Sequence, residues 1–222
     1  MYKTETHLHT SESSRCGRLT AAEMVELYHK KGYSTIFISD HFTSLYYAES
    51  ELSWCEKVDR LYLGYEAALA RAKELGMIVL PSLELQLNCS PNHYLLYGAD
   101  REYLFSRPTL FDMTAEELYA DCKRNGIIVV QAHPYRDMKC FPTPDTVDAI
   151  EVINPNPRHD NYKELTAKVA EERILPITSG SDAHRPEDIA RGGVMTEEKI
   201  TSTEDYVRAL FEGRLILLGG EL

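Results

Sequence analysis

Residues 5–10 read Glu5-Thr6-His7-Leu8-His9-Thr10 and end what reads as the first strand, about residues 2–8. Successive side chains of a strand point to opposite faces, so His7 and His9 point the same way, two residues apart. Two imidazoles on one face at a strand end suit a borderline divalent cation such as Zn or Mn. A lone His-x-His pair is a weak signal. Its reading turns on whether later strands end in matching groups.

They do. Ser34 to Ser39 (STIFIS) is a short apolar run, as expected of a strand buried on both faces, and it ends in Asp40-His41. Met77 to Leu83 ends in Glu84, and a strand over 93–97 begins at His93. Ile127 to Gln131 leads into Ala132-His133-Pro134, and Val147 to Ile153 stops at Asn154. Ile174 to Thr178 runs into Ser179-Gly180-Ser181-Asp182-Ala183-His184. Between them the chain predicts helices. One opens at a capping box, Thr20-x-x-Glu23, and another covers about 54–75 and stops at Gly76. A third runs from Thr114-x-x-Glu117 to Asn125, and two more cover about 160–173 and 203–212, before an apolar tail, Leu215 to Leu218. Strands alternating with helices call for parallel βαβ units, and seven or so of them in 222 residues suit a small α/β barrel in a single domain, 1–222. In parallel barrels the reactive groups come from the C-terminal ends of several strands.

Composition narrows the function classes. A formal net charge of −11 argues against a nucleic-acid binder, whose footprint is a basic patch. It leaves room for an anionic small substrate, because bound cations reverse the local field. The five cysteines are odd in number, widely spaced and contain no CxxC pair, which reads as reduced thiols in the cytoplasm. No run approaches 18 apolar residues and the first residues lack an apolar signal core, so neither a membrane span nor a signal peptide is expected. Oligomeric state is not legible.

The candidate ligands are His7, His9, His41, Glu84, His93, His133, Asp182 and His184. Each has an ordinary reading: a helix cap beside His41, a charged strand terminus at Glu84, a turn histidine at His93 or His133, an N-cap at Asp182. Together these readings fail. Six of the eight histidines fall at strand ends, leaving only His29 on a helix and His159 in a loop.

As a set, HLH at 7–9, SDH at 39–41, Glu84, His93, AHP at 132–134 and SDAH at 181–184 resembles the PHP (polymerase and histidinol phosphatase) family, in the family's order and across nearly the whole chain. The resemblance implies a distorted (β/α)7 TIM-like barrel that holds two or three divalent ions, Zn, Mn or Fe, and hydrolyses phosphoesters. By position, His7, His9, Glu84 and Asp182 would hold one ion. Glu84 would bridge to a second held with His93 and His133, and His41 and His184 would belong to a third. Relatives with three ions carry a further His or Asp five or six residues after the second His. Here Ser14 and Arg15 stand there, with Glu12 and Cys16 as candidate substitutes.

The expected reaction is hydrolysis of a small phosphate monoester, histidinol phosphate being the substrate the family name suggests, by a hydroxide that bridges the ions. Two metals about 3.5–4 Å apart activate water and clamp the attacking and leaving oxygens. Glu84, Asp182, His41 and His184 are the candidate catalytic residues, the two histidines as proton donors to the leaving oxygen if no third ion is held. Arg15, Arg136, Arg158 and Arg185 are candidates to bind the phosphate. Tyr46, Tyr47 and Trp54 form either an aromatic wall after His41 or core under the next helix, and His159 meets either substrate or solvent. The alternatives are a metal-dependent hydrolase of a non-phosphate ester or amide, and a non-catalytic metal-binding module.

Overall fold

A computed structural model describes residues 1–220 of the chain. Its barrel is built from two parallel groups of strands. β1 (Tyr2–Glu5), β2 (Tyr33–Ile38) and β4 (Ile78–Gln86) form the first, and β6 (Ile128–Ala132), β7 (Ala149–Ile153) and β8 (Ile177–Ser179) the second. β3 (His41–Thr43) prolongs β2 beyond Asp40 and pairs with β4, setting His41 opposite Glu84.

β5 (His93–Tyr97) joins the two groups and runs antiparallel to both β4 and β6, which corrects the all-parallel expectation. Only residues 87–92 separate β4 from β5, far fewer than a parallel crossover needs, so the chain must turn straight back. The reversal puts the start of β5 beside the C-terminal ends of its neighbours. His93 accordingly pairs with Gln86 and Ala132, at the same rim as His133.

Closure occurs at that rim. Leu8 bridges Ala183, with His9 N–H donating to Ala183 O at 2.9 Å and Ala183 N–H to His7 O at 3.3 Å. At the opposite end β1 pairs instead with β9 (Val194–Thr196), which pairs with β10 (Ile216–Leu217), both antiparallel. The result is a distorted seven-stranded TIM-like barrel, closed where the histidines gather and splayed below.

The apolar strands are buried on both faces, as their sequences require. Along β5, Leu95 and Tyr97 enter the inner cluster with Phe37 and Val130, while Tyr94 and Leu96 join the outer cluster under the helices. Tyr206, from α7 (Thr203–Phe211), fills the barrel against Phe37 and Tyr97 at ring-centroid distances of 5.1 and 4.8 Å. Tyr97 then donates its hydroxyl hydrogen to Thr6 O at 2.9 Å, tying this aromatic floor to the segment that carries His7.

α1 (Ala21–Lys30) and α5 (Ala115–Arg124) open with the capping boxes read in the sequence. α4 (Arg101–Phe105) and α6 (Lys163–Arg173) complete the outer layer with the pair α2 (Trp54–Leu61) and α3 (Leu63–Leu75), which replaces the single helix expected over 54–75. The break has a local cause. Ser13 Oγ sits within 3.0 Å of Arg60 O and 2.9 Å of Leu61 O and accepts from Gly64 N–H at 3.0 Å, inserting a side chain into the helical ladder. Gly64 also lets α3 lie on the site loop, since a Cβ there would stand 2.4 Å from Asp40 Oδ2. No helix among the described residues is long and apolar enough to cross a membrane.

Candidate metal centre

Eight side chains converge at the closed rim: His7, His9, His41, Glu84, His93, His133, Asp182 and His184. They come from β3, β4, β5 and the segments that follow β1, β6 and β8. Two buried carboxylates outside this set hold those segments in place. Glu5 accepts from His7 N–H at 3.0 Å, Ser181 N–H at 2.9 Å and Tyr28 OH at 2.8 Å, so it joins the two chain segments that close the barrel. Asp40 accepts from Thr10 N–H at 2.7 Å and Ser14 OH at 2.6 Å, and Ser14 Oγ in turn accepts from His41 N–H at 3.0 Å. An unpaired carboxylate in these places would be costly, and the donors remove that penalty.

Glu84 is the hub. Its Oε1 lies 2.7 Å from His133 Nε2, 3.0 Å from His93 Nδ1 and 3.5 Å from His7 Nε2, and its Oε2 lies 2.6 Å from His41 Nδ1 and 3.5 Å from His9 Nε2. Asp182 Oδ1 forms a second focus, 3.1 Å from His9 Nε2 and 3.5 Å from His7 Nε2. Four overlapping groups offer ligand atoms within 4.8 Å of one another: His7-Glu84-His133, His7-His9-Asp182, His41-Glu84-His93 and His9-His41-His184. Glu84, His7, His9 and His41 each belong to two of them, so neighbouring cations would share ligands.

The electrostatics fit cations. Burial alone raises the Glu84 carboxyl, but the imidazoles of His93, His41 and His7 overcome that and hold it well below the carboxylate range. Burial acts on Asp182 in the same sense, and Arg136 with His7 outweighs it. Burial and the Arg136 charge push His133 down to about 3, leaving a neutral imidazole, the form that ligates. His9 is driven down by burial and by His41 and His184. Two buried atoms at the centre, Glu84 Oε2 and His133 Nδ1, make no hydrogen bond among the described residues. Imidazoles and carboxylates with such free atoms suit borderline divalent ions such as Zn, Mn and Fe, so the donor set fits the expected metals.

The sequence-selected arginines separate. Arg136 is partly buried and its guanidinium bonds Asp182 Oδ2, with Asn154 Oδ1 and Asn161 Oδ1 each at 3.2 Å. Arg158 forms a two-pronged pair with Asp188 at 2.6 and 2.8 Å, and Asp188 also accepts from His184 N–H at 2.9 Å. Arg15 lies over the Tyr46 ring and donates to Tyr46 O. The Arg185 guanidinium lies 4.0 Å from Glu187. Tyr46 meets His41 edge-on at 5.8 Å, whereas Trp54 packs on Phe42 and Phe111 in the outer core, where Tyr47 is also buried. His159 is at the rim, 2.8 Å from Asp137.

Glu151 is the functional side chain the sequence reading missed. It accepts from His7 Nδ1–H at 2.9 Å, His133 N–H at 2.9 Å and Asn154 Nδ2–H at 2.8 Å, fixing two ligands at once. A signal existed: it is the one charged residue inside the apolar strand Ala149–Ile153. An acid in such a run needs partners.

The family model described as PHP-associated matches residues 161–215, the span that carries Asp182 and His184. With the ligand motifs in order on a barrel of this form, that match supports the PHP resemblance read from the sequence. No curated protein sequence matches it significantly. Among solved structures it is similar to a two-domain protein from Bacteroides vulgatus described as containing a predicted PHP-like metal-dependent phosphoesterase, at 17% identity and a TM-score of 0.73, covering 100% of this chain and 65% of that one. It is similar to a lesion-specific endonuclease from Pyrococcus furiosus, at 16% identity and a TM-score of 0.66, covering 94% and 55%. It is also similar to an amidohydrolase from Chromobacterium violaceum, at 15% identity and a TM-score of 0.57, covering 99% of both chains. The chain thus spans just under two thirds of the Bacteroides protein and about half of the Pyrococcus one. Identities this low establish the PHP barrel, shared by proteins with different substrates.

Proposed function

We propose that this chain is a divalent-metal-dependent phosphoesterase that hydrolyses a small phosphate monoester. The observation that carries the reading is the Glu84 hub, one buried carboxylate whose two oxygens lie within 3.5 Å of five imidazole nitrogens, with the Asp182 focus adjoining. His7, His9, Glu84 and Asp182 would hold one ion, and Glu84, His93 and His133 a second. Such ions supply Lewis-acid activation of water and neutralise phosphoryl charge.

The chain's own groups define the rest. His7, His9, Glu84, His133 and Asp182 are buried, while the side chains of His41, His93 and His184 are 14%, 20% and 11% exposed. Substrate would therefore approach over these three, the solvent-facing side of the centre. Arg136 keeps Asp182 ionised and oriented, a positioning role. Arg158 is engaged by Asp188 and steadies the His184 backbone. Arg185 and Arg15 remain as the guanidiniums that reach an incoming phosphate. Net charge of −11 opposes a polyanionic substrate.

A substrate panel tests the reading: p-nitrophenyl phosphate and small phosphomonoesters beside bis-p-nitrophenyl phosphate, a damaged oligonucleotide and N-acyl amides, each with Mn²⁺ or Zn²⁺. Monoester turnover is expected, falling in Glu84→Gln by more than the roughly 100-fold ceiling of a lost supporting contact. Turnover confined to diesters would instead assign a nuclease-type activity, and turnover confined to amides an amidohydrolase.

A further inference from the structure

On the solvent-facing side of the centre, the Tyr46 hydroxyl has only a weak partner. The short turn Ser44–Tyr46 follows β3 directly, so the segment that carries His41 also delivers two adjacent tyrosines. They diverge. Tyr47 is buried in the outer core against Phe42 and Phe111, and its hydroxyl donates to Lys57 O at 3.2 Å. Tyr46 turns to the metal centre, with its ring edge-on to the His41 imidazole at 5.8 Å and an interplanar angle of 80°. Arg15 covers the same ring, its guanidinium carbon 5.4 Å from the centroid, and donates to Tyr46 O. The loop that carries Arg15 is fixed at both ends, since Ser14 N–H donates to Thr10 O at 2.9 Å and Arg18 N–H to His184 O at 2.8 Å. The Tyr46 ring is thus set in place before any substrate arrives, which lowers the cost of using it.

Its hydroxyl differs from those of the other buried tyrosines. Tyr28, Tyr33, Tyr47 and Tyr97 each donate to an oxygen, whereas the partner of Tyr46 OH is the Cys16 sulfur at 3.2 Å. Sulfur is a weak donor and a weak acceptor, so whichever group supplies the hydrogen, the phenol's own is available to a better acceptor. A phenol, with an ordinary pKa near 10, keeps that hydrogen at neutral pH. We propose that Tyr46 is a catalytic residue whose hydroxyl donates a hydrogen bond to a non-bridging phosphoryl oxygen of the substrate. The inference rests on the phosphoesterase reading above and adds to it a group outside the ligand set. A phosphate arriving over His41 meets this donor beside the metal ligands, and its charged oxygen replaces the sulfur as the acceptor. No proton is transferred. A neutral donor suits the place, because a guanidinium there would face the charge of the bound cations. Fixed donors aimed at phosphoryl oxygens stabilise the charge that shifts in the transition state.

Tyr46→Phe removes the hydroxyl and keeps the ring that meets His41 and Arg15. In metal-loaded protein kcat/KM is expected to fall about 10- to 100-fold, the cost of one lost hydrogen bond to a charged group. The factor should be the same for p-nitrophenyl phosphate and for an alkyl ester such as glycerol phosphate. Calorimetry should show the dissociation constant of inorganic phosphate rising about tenfold. Elemental analysis should find the same number of Mn²⁺ or Zn²⁺ ions per chain as in the wild type. A loss confined to the alkyl ester would overturn the assignment, since it would make Tyr46 the proton donor to a poor leaving oxygen. Unchanged rates with unchanged phosphate binding would overturn it as well, leaving a ring that only packs, and so would a lost ion. Each of these results leaves the phosphoesterase reading standing. A fully metal-loaded wild type that turns over no phosphomonoester would overturn both.

Discussion

His7 is held from two sides, by Glu84 and Asp182 at its Nε2 and by Glu151 at its Nδ1. An imidazole donating one N–H to a carboxylate is fixed in tautomer and orientation, and its other nitrogen becomes a better ligand. Glu151→Gln is therefore expected to weaken metal binding by about 10- to 100-fold while leaving the ligand set intact. Competition titration with a chromogenic chelator measures this, and unchanged affinity would show that Glu151 only packs. Gly180 explains why this contact is so close: a Cβ there would lie 2.4 Å from His7 Cβ and 2.6 Å from Glu151 Oε1. The convergence of the eight candidate ligands was legible because histidines are scarce and fell at strand ends. Glu151, Glu5 and Asp188 were not, because a supporting carboxylate carries no spacing signature, only an awkward position in an apolar stretch.

At the scale of elements, capping boxes and apolar runs marked most helices and strands, and three-dimensional contacts decided the exceptions. The reversal of β5 follows from a six-residue connection over 87–92, and the break between α2 and α3 from the inserted Ser13 hydroxyl. Neither depends on propensity. The three residues of β9 gain their strand from β1 and β10 alone. α5 is tied to the segment after α4 through Asp121. Slight burial raises this carboxyl, but Arg107 at 2.7 Å, Tyr103 OH at 2.9 Å and Arg124 at 3.0 Å hold it below its usual value. A carboxyl depressed in the folded state stabilises the fold above its unfolded value of about 3.9, and that contribution fades as pH falls through the lower folded value. Asp121→Asn should thus unfold at lower urea than the wild type at pH 7, with the gap closing below about pH 4. A gap constant with pH would mean that the side chain acts through packing alone.

For the molecule as a whole, barrel closure and chemistry are the same event. The bridge between Leu8 and Ala183 draws the barrel shut where His7, His9, Asp182 and His184 meet, while β9, β10 and the aromatic floor of Phe37, Tyr97 and Tyr206 occupy the splayed end. Alternating strands and helices made the barrel class readable in the sequence. The asymmetry of its two ends was not, since it depends on which strand edges find partners. The groups proposed to meet substrate, Arg15, Arg185 and Tyr46, lie further out, where few neighbours fix a side chain. The central claim is that cations held by this rim hydrolyse a phosphate ester. The most direct measurement is the initial rate of p-nitrophenyl phosphate hydrolysis as metal-stripped protein is titrated with Mn²⁺ or Zn²⁺. The expected result is no rate without metal, a saturable rise with it, and none in Glu84→Gln. A wild-type protein carrying its full complement of ions and hydrolysing neither this ester nor any other phosphomonoester would contradict it.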